Sequence, residues 1–155
     1  MNAEVEYFLD KASAAEITEH LARCNADFVP PLSSRVEIDK YAQKIASNAT
    51  RFEAWSAGTL AGLVAVYCND QEKSIAYITS ISVLKARAGE GIAARLMNRC
   101  IEHAKALGMK QVSLEVAEGN TPAIRLYEKS GFVAGKINAP FVSMHLYLKS
   151  GEEHG

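Results

Sequence analysis

The change of hydrophobic period at residue 92 constrains this chain more than any other feature. From Arg51 to Val83 the chain reads as strands in succession; a glycine-containing loop, LKARAGEG, then leads into a helical stripe and back to a strand. Ile92, Leu96, Cys100 and Ala104, with Ala93, Met97 and Ile101 beside them, recur at the spacing of one apolar helical face, and the stripe ends at Gly108. A crossover helix of that length joins parallel strands, so the strands at 75–83 and 111–116 run the same way. From residue 51 the strands before the crossover join as hairpins. The strand at 51–56 is followed by a turn at Ala57-Gly58 and an apolar strand at 60–68; after the polar turn NDQEKS comes 75–83, with Ile75, Tyr77, Ile81 and Val83 on one side and Ala76, Ile78, Ser80 and Ser82 on the other.

The flanking segments complete the pattern. Ser13 with Glu16 and Ser34 with Glu37 both fit the capping box that opens a helix, and the second leads into Ile38, Tyr41, Ala42, Ile45 and Ala46 at the spacing of one buried face. Pro30 and Pro31 make the stretch between them a loop. After residue 116 a short helix starts at Asn120 or Thr121, with Pro122 in its first turn and Gly131 at its C-terminal cap; strands follow at 132–136 and 141–148. The sum is a mixed α/β sheet with helices on both faces.

Composition bounds what such a chain does. At 155 residues and 48% hydrophobic content it is expected to be a single domain over residues 1–149, with a polar tail at 150–155 that frays. A domain of this size buries roughly two-thirds of its unfolded surface, so it needs no disulfide or metal. Cys24, Cys68 and Cys100 are odd in number, sit in apolar neighbourhoods and form no C-x-x-C pair, which reads as reduced thiols in a cytoplasmic protein. A net charge of -1 is too balanced for a nucleic-acid binder. The longest apolar run, 60–68, is too short to span a membrane, and the start MNAEVEYFLDK lacks the order of a signal peptide. No histidines are spaced as metal ligands, so no metal site is expected.

The chemistry concentrates at AGEGIA, residues 88–93, where two glycines open a helix whose unpaired amides and dipole favour an anion such as a phosphate. G-E-G-I-A-A also fits the dinucleotide fingerprint G-x-G-x-x-A. Against that reading, Leu84 to Ala88 separate the strand from the first glycine, and too little chain follows Val116 to complete a doubly wound sheet.

ISVLKARAGEGIAARLM followed by LEVAEGNTPAIRLYEKSGF resembles the two signature regions of the GNAT superfamily of acetyl-CoA-dependent N-acetyltransferases. Asn120, Ala123, Leu126, Tyr127, Gly131 and Phe132 meet the pattern N-x-x-A-x-x-L-Y-x-x-x-G-F. The first pattern, [QR]-x-x-G-x-[GA], is met at Gly91 and Ala93, with Ala88 where Gln or Arg is usual and Arg87 displaced by one. The resemblance covers about residues 51–148 and implies a single-domain α/β fold: a mixed, mostly antiparallel central sheet with one parallel, splayed pair and helices on both faces.

The resemblance also implies a site. Ile81, Ser82 and Val83 would offer backbone pairing to pantetheine. The amides of Ala88, Gly89, Glu90, Gly91, Ile92 and Ala93 would cradle the pyrophosphate with help from Arg87. Asn120 would bond the pantetheine arm, and Tyr127, near the sulfur, would act as the acid, with Glu115 as the base. Each residue has a structural alternative that stays open: Tyr127 as packing against Ala123 and Ile124, Asn120 as a helix cap, Glu115 as a surface carboxylate. Glu53 and Glu90 read as surface charges, His145 as a satisfied or exposed histidine and Cys100 as core.

The activity implied is direct acetyl transfer from acetyl-CoA to a primary amine, of a small molecule or a peptide N-terminus, with the acceptor side formed by residues 26–35 and the helix after them. Asp27, Arg35 and Tyr41 are its candidate polar groups. The alternative is a non-catalytic acetyl-CoA-binding regulatory module. The acceptor, the length of the acyl group and the oligomeric state, a homodimer included, are open at this stage.

Overall fold

The structure is a computed structural model that describes residues 4–70 and 72–148; the expected tail at 150–155 lies outside them. The elements run β1 (Glu6–Leu9), α1 (Ala14–Cys24), α2 (Ile38–Asn48), β2 (Thr50–Ser56), β3 (Thr59–Asp70), β4 (Ile75–Val83), α3 (Ile92–Ala106), β5 (Gln111–Ala117), α4 (Thr121–Lys129), β6 (Val133–Asn138) and β7 (Phe141–Tyr147). Seven strands form one sheet in the order β1-β2-β3-β4-β5-β7-β6, and only β4 and β5 pair in parallel. The mixed, mostly antiparallel sheet expected from the sequence is therefore present.

Two cores flank it. Val64, Val66, Ala76, Ile78, Val112 and Leu114 pack under α3 and Tyr127; Leu60, Leu63, Ala65 and Trp55 pack under Ile17 and Leu21 of α1 and Ala42 and Ile45 of α2. On the first face α3 comes unusually near the sheet. A Cβ on Gly62 would stand 2.8 Å from Ile92 Cγ2 and 3.2 Å from Leu96 Cδ1, so the glycine in β3 is what lets the start of α3 settle there. None of the helices among the described residues is long and apolar enough to cross a membrane.

Four details differ from the sequence reading. The strand β1 was not expected: four residues, mostly exposed, carry no alternating pattern, and pairing with β2 makes the strand. The Ser13 capping box forms as expected, but the one at Ser34 does not. Asn25 Oδ1 accepts the Ser33 amide at 2.7 Å, the 32–34 segment closes into a 3-10 turn, and the Ser34 hydroxyl donates to Pro31 O at 2.6 Å; α2 begins at Ile38 with no side-chain cap.

The other two concern β2 and β4. Glu53 is not a surface charge but fully buried: its carboxylate accepts the amides of Lys11 and Ala12, the Trp55 indole N–H at 2.9 Å and Arg51 Nε at 3.2 Å. Arg51 in turn donates to Ala46 O and Ala12 O at 3.0 Å, so the buried pair is fully used in tying β1 and both helices to β2. In β4, Ala65 pairs with Ser80 and Val66 with Ile78, which leaves Thr79 as an extra residue. That bulge reverses the alternation beyond it. Ala76, Ile78, Ile81 and Val83 share the α3 face, whereas Tyr77, Ser80 and Ser82 lie on the other.

Candidate active site

The parallel pairing of β4 with β5 covers only Ile75 to Tyr77 against Gln111 to Ser113. Beyond it the strands part, and a cleft of about 450 Å³ opens between Ile78–Val83 on one side and Leu114–Ala117 on the other. The bulge at Thr79, whose carbonyl accepts the Tyr41 hydroxyl at 2.6 Å, sits where the strands separate. The splay expected for this pair is thus a built feature of the sheet.

Most of the expected site residues meet in this cleft. Ile81, Ser82, Val83, Ala93, Glu115, Asn120 and Tyr127 all line it. Arg87, Ala88, Gly89, Glu90, Gly91 and Ile92 do not; they form the loop and helix mouth that lead to Ala93. At that mouth Gly89 and Gly91 take φ of +83° and +79°, and a Cβ on either would meet nothing within 4 Å. Gly91 is the N-cap of α3 and supplies no side-chain cap, so the first amides of a 15-residue helix face open space. A helix start of this kind could hold an anion such as a pyrophosphate.

Arg87, one position before Ala88, is held within the protein. Arg87 Nε donates to Glu90 at 3.0 Å and Nη1 to Ser56 Oγ at 2.6 Å, which ties the loop to the end of β2. Glu90, expected as a surface charge, is the partner that holds Arg87.

Asn120 caps α4, accepting the Ala123 amide at 3.4 Å, and lines the cleft as well. Tyr127 is 7% exposed, its ring 6.1 Å from that of Phe132, and burial pushes its hydroxyl up to about 12, so it holds its proton throughout the neutral range. Glu115 points to the face of α1 and α2, where Tyr77 donates to it at 3.3 Å; burial first, and then the Glu115 carboxylate, push the Tyr77 hydroxyl up to about 12. Asp27 and Arg35 line the cleft from the loop before α2, Arg35 lying 5.1 Å over the Phe141 ring, but Tyr41 does not line it.

Sequence reasoning missed two groups here. Tyr77 reads as one of several residues alternating along a strand, and only the placement of β5 gives it a partner. His20 is enclosed in the core, its Nδ1 2.9 Å from Leu60 O and its Nε2 2.8 Å from Ser82 Oγ, with Cys24 Sγ 3.8 Å from Nε2. Nothing in α1 alone signals that contact with β4. His145 is satisfied by Gln111 and Ser113 away from the cleft, and Cys100 is core, as expected. Among the described residues no three or more His, Cys, Asp or Glu side chains are grouped to hold a metal ion.

Residues 14–132 match the acetyltransferase (GNAT) family, and the chain belongs to it. Among its relatives, N-alpha-acetyltransferase MAK3 of Arabidopsis thaliana is 31% identical over 86 residues, 55% of this chain and 45% of that protein. Mycothiol acetyltransferase of Streptosporangium roseum is 39% identical over 61 residues, 39% of this chain and 18% of the relative, so the chain spans less than half of either protein. The crystal structure of a Bacillus subtilis acetyltransferase in complex with CoA superposes with a TM-score of 0.72 at 17% identity, covering 94% of this chain and all of that one.

Proposed function

We propose that this chain is an N-acetyltransferase that moves an acetyl group from acetyl-CoA directly to a primary amine. The observation that carries the proposal is the parting of β4 from β5, which brings Ala93 in the first turn of α3, Asn120, Tyr127 and Glu115 around one cleft, with the uncapped mouth of α3 leading to it. The family supports acetyl-CoA as the donor, and the Bacillus subtilis structure holds CoA on the same fold.

The chain's own groups divide the work. Amides at the start of α3 take the pyrophosphate, the outer half of β4 offers its free backbone groups to pantetheine, and Asn120 adds a side-chain contact. Holding amine and thioester in one cleft replaces a bimolecular encounter and supplies much of the acceleration. Glu115 receives the proton that the amine sheds as the C–N bond forms, and an amide at the end of β4 stabilises the oxyanion. Tyr127, kept protonated by burial, gives its proton to the sulfur as the C–S bond breaks.

Cys24 also lines the cleft. Burial, and after it the charge of Asp27, push its thiol up to about 11, which leaves it protonated and favours direct transfer over an acyl-cysteine. The acceptor is proposed to be a small amine or a peptide N-terminus; one relative is named for N-alpha acetylation and the other for mycothiol. A cytoplasmic location belongs to this reading, supported by three free cysteines.

The test is thiol release from acetyl-CoA across polyamines, amino sugars, amino acids and peptides. Turnover on at least one class is expected; CoA binding with turnover on none would leave a non-catalytic binding module.

A further inference from the structure

Ser82 and His20 meet on the face of β4 that looks toward α1, and the hydrogen bonds between them have only one polarity. The Leu60 carbonyl has lone pairs and no proton, so at 2.9 Å it is His20 Nδ1–H that donates. The ring is 1% exposed, and burial, helped by the charge of Arg23, holds its pKa below the ordinary value, so it is neutral. Nε2 therefore carries no proton. At 2.8 Å it accepts the Ser82 hydroxyl; Cys24 Sγ, 3.8 Å from the same nitrogen, is the weaker donor. Ser82 has one proton and directs it away from the cleft it lines. What it can offer there is an acceptor.

We infer that Ser82 Oγ accepts an N–H of the attacking amine and so aims the nitrogen lone pair at the thioester, with His20 as the positioning residue that fixes which way the hydroxyl points. The inference rests on the acetyl-transfer reading above. It adds no proton transfer: the C–N bond forms, the C–S bond breaks, Glu115 takes the amine's proton, Tyr127 supplies one to sulfur, and Ser82 keeps its own. A bound amine that donates one N–H to Ser82 has the direction of its lone pair constrained, which is where orientation gains most.

The test is the pair Ser82→Thr and Ser82→Val, two side chains of nearly the same shape that differ in the hydroxyl. The valine variant is expected to fall below the threonine variant by roughly 10- to 100-fold in kcat/KM for the amine, the worth of one hydrogen bond to a group gaining charge. The KM for acetyl-CoA should be the same in both. His20→Asn, which releases the hydroxyl, should move the amine parameters in the same direction, and combined with Ser82→Val should add nothing. If the extra methyl unfolds both variants, Ser82→Ala against the unaltered protein reads the same difference. Equal amine kinetics for threonine and valine overturn the inference, and so does a loss confined to acetyl-CoA, which would give Ser82 to a pantetheine N–H. Failure of the unaltered protein to acetylate any amine removes the acetyl-transfer reading and this inference with it, a result distinct from equal, measurable turnover in the two variants.

Discussion

Tyr127 and Glu53 are both buried, the first at a position proposed for chemistry and the second where it ties the fold together. Around Tyr127 burial keeps a proton on the hydroxyl, which the proposed role requires: an acid must be protonated when the thiolate leaves. Tyr127→Phe removes that proton and keeps the ring against Phe132, so turnover should fall roughly 10²- to 10⁴-fold with CoA affinity nearly unchanged, read by steady-state kinetics beside calorimetry. A loss under tenfold would assign Tyr127 to packing. The sign of the pH dependence is also set. The acid works while protonated, so with a hydroxyl raised to about 12 kcat should not decline between pH 8 and 10; a fall centred near 10 would mean an unperturbed tyrosine. At Glu53 burial is offset by five donated contacts, and Glu53→Ala would leave the Arg51 guanidinium enclosed without its counter-charge. A destabilisation of about 3–5 kcal/mol in urea unfolding is expected. Neither environment is legible in sequence, because Glu53 sits among residues that read equally as an exposed strand and its partners come from residues 11–12 as well as 51 and 55.

Among the elements, those set by local pattern were readable and those set by pairing were not. β4 and the start of α3 carry sharp local signals, a polar turn before one and a glycine pair before the other, and both appear where the residues place them. The bulge at Thr79 leaves no local mark, since it exists only in the register of β4 against β3, yet it decides that Ser82 faces His20 rather than α3. The Ser34 capping box failed for a related reason: Asn25, eight residues away, holds Ser33 in a turn the pattern cannot show. The helix mouth allows a controlled test. Gly91→Ala places a methyl where the protein itself has nothing within 4 Å, so a lost CoA response reports collision with the ligand. The substitution also strains a residue at φ +79°, by about 1–2 kcal/mol, so the unliganded protein should melt lower as well. Gly58→Ala, at φ +77° in the turn after β2 and equally open, has the same strain without the ligand contact. The CoA-dependent rise in melting temperature should vanish in the first variant and persist in the second; its persistence in both would make the glycines of α3 a mere turn.

At the scale of the whole molecule, the sheet is the device. Five of its six strand pairings could serve any mixed α/β domain; the sixth, where β4 and β5 run parallel for three residues and then diverge, opens a cleft through the sheet instead of over it. The crossover at residue 92 announced the parallel pair, and the resemblance to the family supplied the splay. The side chains on the α1 and α2 face, Tyr77, Glu115 and the His20–Ser82 contact, emerge only once the chain is folded. If the uncapped helix mouth takes a pyrophosphate as proposed, and with no doubly wound sheet beside it, CoA and acetyl-CoA should raise the melting temperature, by about 2.7 kcal/mol of stabilisation at a hundredfold excess over Kd, and NAD should not. The most direct measurement of the whole account is the mass balance of one reaction: acetyl-CoA, the best amine and the protein, with thiol release, amine product and protein mass followed together. The account predicts one acetylated amine for each thiol released and a protein of unchanged mass; thiol released without acetylated amine, or an acetyl group lodged on the protein, would contradict it.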